Sequence, residues 1–251
     1  MDGGNHLVLL GILATMGTGL ATGIGALPVL FTRNVSDQLL DGMLGFAAGV
    51  MLAATAFSLL VPALELGGIW VTMIGVIAGA VFLDAADRFI PHAHFVSGPE
   101  GPSSALRRIW LLILAITLHN FPEGLAVGVG FGSGNIDAAI VLAIAIGLQN
   151  MPEGLAVALP LVRERYSRWR AVWYATLSGL VEPIAGLIGV LAVRYAQPFL
   201  PFGLAFAAGA MLFVVSDEII PETHRRGYER VGTGGVILGF VVMMLLDNMF
   251  G

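Results

Sequence analysis

The sequence predicts an all-α integral membrane protein, and three observations predict it. Charged residues make up only 12% of the 251 residues, hydrophobic residues make up 57%, and the mean hydropathy is +0.88. A soluble domain of this size carries about twice that charge. The apolar residues also gather in runs long enough to cross a bilayer, which takes roughly 20 residues per helix. Finally, the runs do not alternate apolar with polar as barrel strands do, whereas helices satisfy their own backbone polar groups in lipid.

Eight transmembrane segments are expected, at about 7–31, 38–62, 68–90, 106–131, 137–160, 171–195, 200–223 and 232–250. They consume nearly the whole chain, so one transmembrane domain over 1–251 is expected. The first run has no basic leader and no small-residue cleavage site, so it reads as a mature helix rather than a signal peptide. There is no cysteine, which excludes disulfides and thiolate sites. No basic patch or aromatic ladder is present, and nucleic acid is not expected as a partner.

Every basic residue is an arginine, and their placement orients the chain. Arg33 lies between segments one and two, and Arg88, Arg107 and Arg108 flank the third connection. Arg163, Arg165, Arg168 and Arg170 fill the fifth, and Arg225, Arg226 and Arg230 fill the seventh. The other connections and both termini have none, apart from Arg194 near the end of segment six. The positive-inside rule then places the arginine loops in the cytoplasm and both termini outside.

Two internal repeats are visible. His119-Asn120-Phe121-Pro122-Glu123-Gly124-Leu125-Ala126-Val127 matches Gln149-Asn150-Met151-Pro152-Glu153-Gly154-Leu155-Ala156-Val157 on the antiparallel neighbour. A second repeat has a constant offset of 160. Phe46-Ala47-Ala48-Gly49 matches Phe206-Ala207-Ala208-Gly209, Met51-Leu52 matches Met211-Leu212, and Gly75-Val76 and Gly79 match Gly235-Val236 and Gly239. Asp87 aligns with Asp247, and Gly19-Leu20 with Gly179-Leu180. Segments 1–3 (7–90) and 6–8 (171–250) are therefore expected to be inverted repeats around segments 4–5 (106–160), a three-plus-two-plus-three arrangement. Inverted repeats with a site between them are characteristic of transporters.

His119 and Glu123 are four residues apart and share one helix face. Gln149 and Glu153 repeat that geometry. Asn120 and Asn150 stand one position on and reach the same cleft from its side. Glu182 in segment six and Met51 in segment two lie at similar depth, roughly 20 Å from the helix entry. A charged carboxylate at that depth costs at least about 3 kcal/mol, and no arginine lies nearby in the sequence to neutralise Glu123, Glu153 or Glu182. Protonation or a bound cation must compensate. His, Glu, Gln, Asn and a thioether suit a borderline metal such as zinc. Pro122 and Pro152 leave the Leu118 and Leu148 carbonyls without their helical donors, beside the ligands. The competing reading is a structural polar knot of Glu–His and Gln–Glu hydrogen bonds, and Met51 alone reads equally as packing.

The motifs HNFPEGLAVGVGFGSG and QNMPEGLAVALPL, with FAAGVMLAA, SGLVEP and SDEIIPETH elsewhere, resemble the signature of the ZIP family (Zrt-/Irt-like proteins) of divalent metal transporters, in its bacterial GufA-like branch. The resemblance implies an eight-helix fold with a binuclear central site. One metal would take Met51, His119, Glu123, Gln149 and Glu153; the second would take Asn120, Glu123, Asn150, Glu153 and Glu182. Gln149 stands where eukaryotic relatives carry a second histidine, and Asn150 where an acid is common. A weaker second site and a broader metal preference are expected from that. Zinc is the expected cargo, with cadmium, iron and manganese as alternatives, moved toward the cytoplasm across a bacterial inner membrane by alternating access. No cofactor beyond the transported ion is expected. The expected partners are divalent ions and the lipid bilayer, with a homodimer left open.

The remaining polar residues are assigned by side. Glu65 and Asp247 end their segments outside and are expected to collect cations at an entrance. Asp84, Asp87, His92 and His94 end segment three inside, and Asp217, Glu218, Glu222 and His224 end segment seven inside; together they read as an exit relay, or else as ordinary solvated helix ends. His6 and Asp41 receive no role. The rival function is an intramembrane metal-dependent hydrolase using Glu123 or Glu153 as base, although the sequence has no HExxH or serine-nucleophile motif.

Overall fold

The computed structural model describes residues 3–32, 35–94, 98–100 and 108–250. Ten α-helices are found among them: α1 Gly3–Ala26, α2 Asp37–Ala53, α3 Val61–Phe89, α4 Arg108–Gly132, α5 Ile136–Arg163, α6 Arg168–Gly179, α7 Glu182–Tyr195, α8 Leu200–Val214, α9 Ile220–Thr223 and α10 Glu229–Phe250. One short antiparallel hairpin, β1 His92–His94 with β2 Gly98–Glu100, follows α3. The fold is otherwise all-helical. Six helical stretches among the described residues are long and apolar enough to cross a membrane, at 5–30, 37–89, 136–163, 168–195, 197–223 and 229–250. Arg33 and Arg107, two of the arginines used to orient the chain, lie outside the described residues.

Local chemistry explains most boundaries. The Ser36 side chain caps α2 by accepting from the Leu39 amide, Asn135 caps α5 through Ala138, and Ser167 caps α6 through Arg170. Such caps satisfy amides that have no partner within the helix. Helical hydrogen bonding runs on from residue 37 to 89, and a rod of that length would measure about 80 Å. Gly68 interrupts it with φ 68° and ψ 177°, a conformation only glycine adopts readily.

Two features depart from the predicted helices. The sixth segment is broken: α6 stops at Gly179 and α7 restarts at Glu182, with Pro183 in its first turn. Pro183 has no amide to offer the Gly179 carbonyl, so the continuous helix expected at 171–195 is interrupted there. In addition, α2 passes into a π-helical segment, Ala54–Leu60, and α8 passes into another, Val215–Ile219. The two sit at matching positions under the offset of 160.

The helices pack in two groups. α2 lies along α10 and α3 along α8, while α1, α4, α5, α6 and α7 pack on one another. The groups meet where α2 touches α5 and where α4 touches α8. Glycine permits the closest approaches. A Cβ on Gly49 would strike the Val236 carbonyl, and one on Gly209 would strike the Val76 carbonyl. Gly239 and Gly79 face Phe46 and Phe206 in the same way. Each of these contacts is matched by one 160 residues away.

Polarity is inverted relative to a soluble core. Trp70, Ile74, Ile77, Leu238 and Val241 are exposed, whereas His119, Asn120, Glu123, Gln149, Asn150, Glu153 and Glu182 are buried. An apolar exterior around a polar centre fits hydrocarbon solvent. The glycine contacts generate a prediction. Gly49→Leu should destabilise the detergent-solubilised protein by at least about 3 kcal/mol, because the neighbouring backbone must move. Gly17→Ala, with open space where the methyl would go, should stay within about 0.5 kcal/mol of the parent. Thermal unfolding of the two variants side by side checks this.

Candidate metal centre

The centre is built from α1, α4, α5 and the first residue of α7. On α4, His119 and Glu123 point from one face, with Pro122 inside the helix. Gln149 and Glu153 do the same on α5, around Pro152. The two motif glycines bring in the neighbouring backbones. A Cβ on Gly124 would collide with the Glu182 backbone, and one on Gly154 with the Thr22 carbonyl. Thus the PEG triplets explain how α7 and α1 come close enough to complete the site.

The side chains interlock in pairs. Gln149 Nε2 donates to Glu123 Oε1 at 2.7 Å. Asn150 Nδ2 donates to Glu182 Oε1 at 2.7 Å and to the Thr18 carbonyl at 2.9 Å. Thr18 Oγ1 donates to Glu182 Oε2 at 2.5 Å. His119 Nε2 meets Glu218 Oε2 across the boundary between the two helix groups. Met51 is wholly buried on α2.

These bonds leave a specific set of atoms unsatisfied. Both carboxylate oxygens of Glu153, Glu123 Oε2, Gln149 Oε1, Asn150 Oδ1 and both polar atoms of the Asn120 side chain are buried without a hydrogen-bond partner. Glu123, Glu153 and Glu182 are 0%, 2% and 0% exposed. A buried carboxylate without partners is strongly unfavourable unless a cation or proton reaches it. Most of the unsatisfied atoms are oxygen acceptors, which cannot satisfy one another but are the atoms a metal ion can use. Among the described residues no three His, Asp or Glu side chains converge on one point; Gln149 and Asn150 stand beside the acids with one unsatisfied oxygen each.

The structure redistributes several predicted residues. Glu218, assigned from sequence to the exit relay, is buried against His119 and belongs to the central cluster. Its neighbour Asp217 is exposed. Asp84 pairs with Arg88 at 2.9 Å on an exposed helix end. Glu222 pairs with Arg226 at 2.5 Å, and the same guanidinium holds the buried Asp41 at 2.8 Å. His224 hydrogen-bonds Thr233 Oγ1 at 2.9 Å. Asp87 is half-buried near the end of α3. The side chains of His92 and His94 lie outside what the structure describes. Asp84, Glu222 and His224 are thus each held by a separate local partner. At the other end, Ser58 Oγ donates to Asp247 Oδ1 at 2.6 Å. Glu65 and Ser58 line a cavity of about 350 Å³ with Pro62, Ser133 and Asn135.

Sequence reasoning missed Thr18 altogether. The signal was present: Thr15, Thr18 and Thr22 fall on one face of an otherwise apolar helix, and all three are buried. The place of Glu182 at a helix start was also missed, although Pro183 marks it.

Known proteins resemble this chain over most of its length. The family model described as ZIP zinc transporter matches residues 96–247. The chain is 43% identical to zinc transporter GufA of Myxococcus xanthus, across 96% of this chain and 99% of that protein. It is 45% identical to zinc transporter ZIPB of Bordetella bronchiseptica, across 92% and 78%. Zinc transporter ZIP11 of Homo sapiens is 40% identical, across 99% of both. With a buried carboxylate centre on duplicated proline-kinked helices and matches of this extent, the chain belongs to the ZIP zinc transporter family.

Proposed function

We propose that this protein carries divalent transition-metal ions, zinc foremost, across a bacterial inner membrane into the cytoplasm. The observation that carries the proposal is the set of buried oxygen acceptors around Glu123 and Glu153 that no protein donor satisfies. A cation supplies what they lack. The relatives' printed names support zinc as the cargo. Family membership speaks against the hydrolase reading.

The ion would be shared between two compartments. His119, Met51, Glu123, Gln149 and Glu153 form the first, which mixes nitrogen, sulfur and oxygen donors as zinc prefers. Asn120, Asn150 and Glu182 join Glu123 and Glu153 in the second. Entry would run past Glu65 and the Ser58–Asp247 pair. Exit would run past Glu218 toward Asp217, Asp87, the histidines after α3 and Glu222 on α9.

Eight membrane crossings in a three-plus-two-plus-three inverted repeat, with both termini outside, fit the fold. Gly68 divides the long 37–89 stretch into two crossings. The reciprocal contacts of Gly49 and Gly209, and the paired π segments, support the repeat. Alternating access would move one helix group against the other. Nearly all the ligands sit on α4, α5 and α7, while Met51 and Glu218 belong to the opposite group. A relative shift would therefore change which of those two meets the ion.

Reconstituted in liposomes, the protein should take up zinc with no other substrate present. His119→Ala and Glu123→Ala should each abolish that uptake while eluting as folded protein in detergent. Uptake at the parent rate by either variant would remove the site assignment. Glu65→Ala should slow uptake several-fold at low zinc without abolishing it, since it touches the mouth and not the centre. A rate and apparent affinity equal to the parent's would take Glu65 off the path.

A further inference from the structure

We propose that Thr18 is a further ligand of the second compartment, whose other ligating atoms are already oxygens, and that it completes a site for a hard divalent cation such as Mn2+ or Mg2+. This rests on the transport reading above and deepens it. Thr18 Oγ1 lies 2.5 Å from Glu182 Oε2, and the Thr18 carbonyl lies 2.9 Å from Asn150 Nδ2. Asn150 in turn reaches Glu182 Oε1 at 2.7 Å. Three residues from three helices thus gather a hydroxyl, a backbone carbonyl, a carboxylate and an amide within hydrogen-bond distance of one another. All three side chains are buried, Thr18 with only 4% exposure. Asn150 Oδ1 is an acceptor that nothing satisfies, and one helical turn along α1 the hydroxyl of Thr22 is also buried without a partner.

Neither a nitrogen ligand nor a thioether is in this group. His119 is turned to Glu218 instead, and Met51 is on α2. Carboxylate, carbonyl and hydroxyl oxygens suit magnesium, calcium and manganese, whereas imidazole favours zinc. The two compartments therefore differ in the ion they favour, although Glu123 and Glu153 stand between them. Glu182 can bind an ion only by exchanging the Thr18 and Asn150 hydrogen bonds for coordination. Thr18 eases that exchange because its own oxygen can follow the carboxylate onto the ion, while its proton turns back to the Thr15 carbonyl, already within 3.1 Å.

Mn2+ binding to the purified full chain, read by electron paramagnetic resonance, tests this. Parent protein and His119→Ala should both bind Mn2+, because the histidine belongs to the other compartment. Thr18→Val keeps the shape and removes the hydroxyl; it should weaken Mn2+ binding at least about tenfold. Thr18→Ser keeps the hydroxyl and should bind nearly as the parent does. Equal Mn2+ affinity in Thr18→Val and parent would overturn the proposal, as would loss of Mn2+ binding in His119→Ala. Either of those results alongside intact zinc uptake would leave the transport function standing, whereas a parent protein that neither binds nor moves any divalent ion would remove both.

Discussion

Carboxylates buried at membrane depth with no basic partner govern this structure. Glu123, Glu153 and Glu182 are withdrawn from solvent, and none of the ion pairs among the described residues brings an arginine to them. In hydrocarbon each such charge is costly. The fold must therefore either neutralise them or supply donors. It supplies donors selectively. Glu123 receives Gln149, and Glu182 receives Asn150 and Thr18, while Glu153 receives none. The proposed metal site rests on that uneven satisfaction, since in a structural polar knot every acceptor would be matched.

Holding the acids together requires backbones closer than ordinary side chains allow. The glycines after Pro122 and Pro152 admit α7 and α1 to the centre, and the seams at Gly49 and Gly209 hold α2 to α10 and α8 to α3. In lipid, packing of small residues replaces the hydrophobic drive that would join helices in water. Because these seams recur at a fixed spacing of 160, the same packing chemistry is used twice.

Much of this was legible in the sequence. The fold class follows from composition, and six of the central residues, His119, Asn120, Glu123, Gln149, Asn150 and Glu153, follow from i, i+4 spacing and duplication, whereas Glu182 and Met51 were placed by depth and by the family resemblance. Their burial together is what the spacing implied. Other features depended on long-range contacts that spacing does not encode. Glu218 reads from sequence as one acid in a run near a helix end, but a π turn rotates it inward to His119 while leaving Asp217 outside. Arg226 was read only as a loop charge; in the structure it ties Asp41 to Glu222 and neutralises two acids at once. Thr18 was passed over because threonine in an apolar helix usually bonds its own preceding carbonyls. Thr15 and Thr18 do so here, and Thr18 reaches Glu182 as well.

A transporter must release its cargo as readily as it binds it, and the pairing pattern bears on that requirement. If every acid lost its only partner when an ion left, the return step would expose several buried charges at once. Gln149, Asn150, Thr18 and Glu218 each offer a substitute contact to a ligand residue. At the proposed site an arriving ion would gain coordination but break these bonds, so its net binding energy would be smaller than the ligand list suggests. Among the acids only Glu153 would gain without loss, and the proposal puts it among the ligands of both compartments. Shared between them, it would favour an ion at the centre, while its better-partnered neighbours would keep that ion from being trapped.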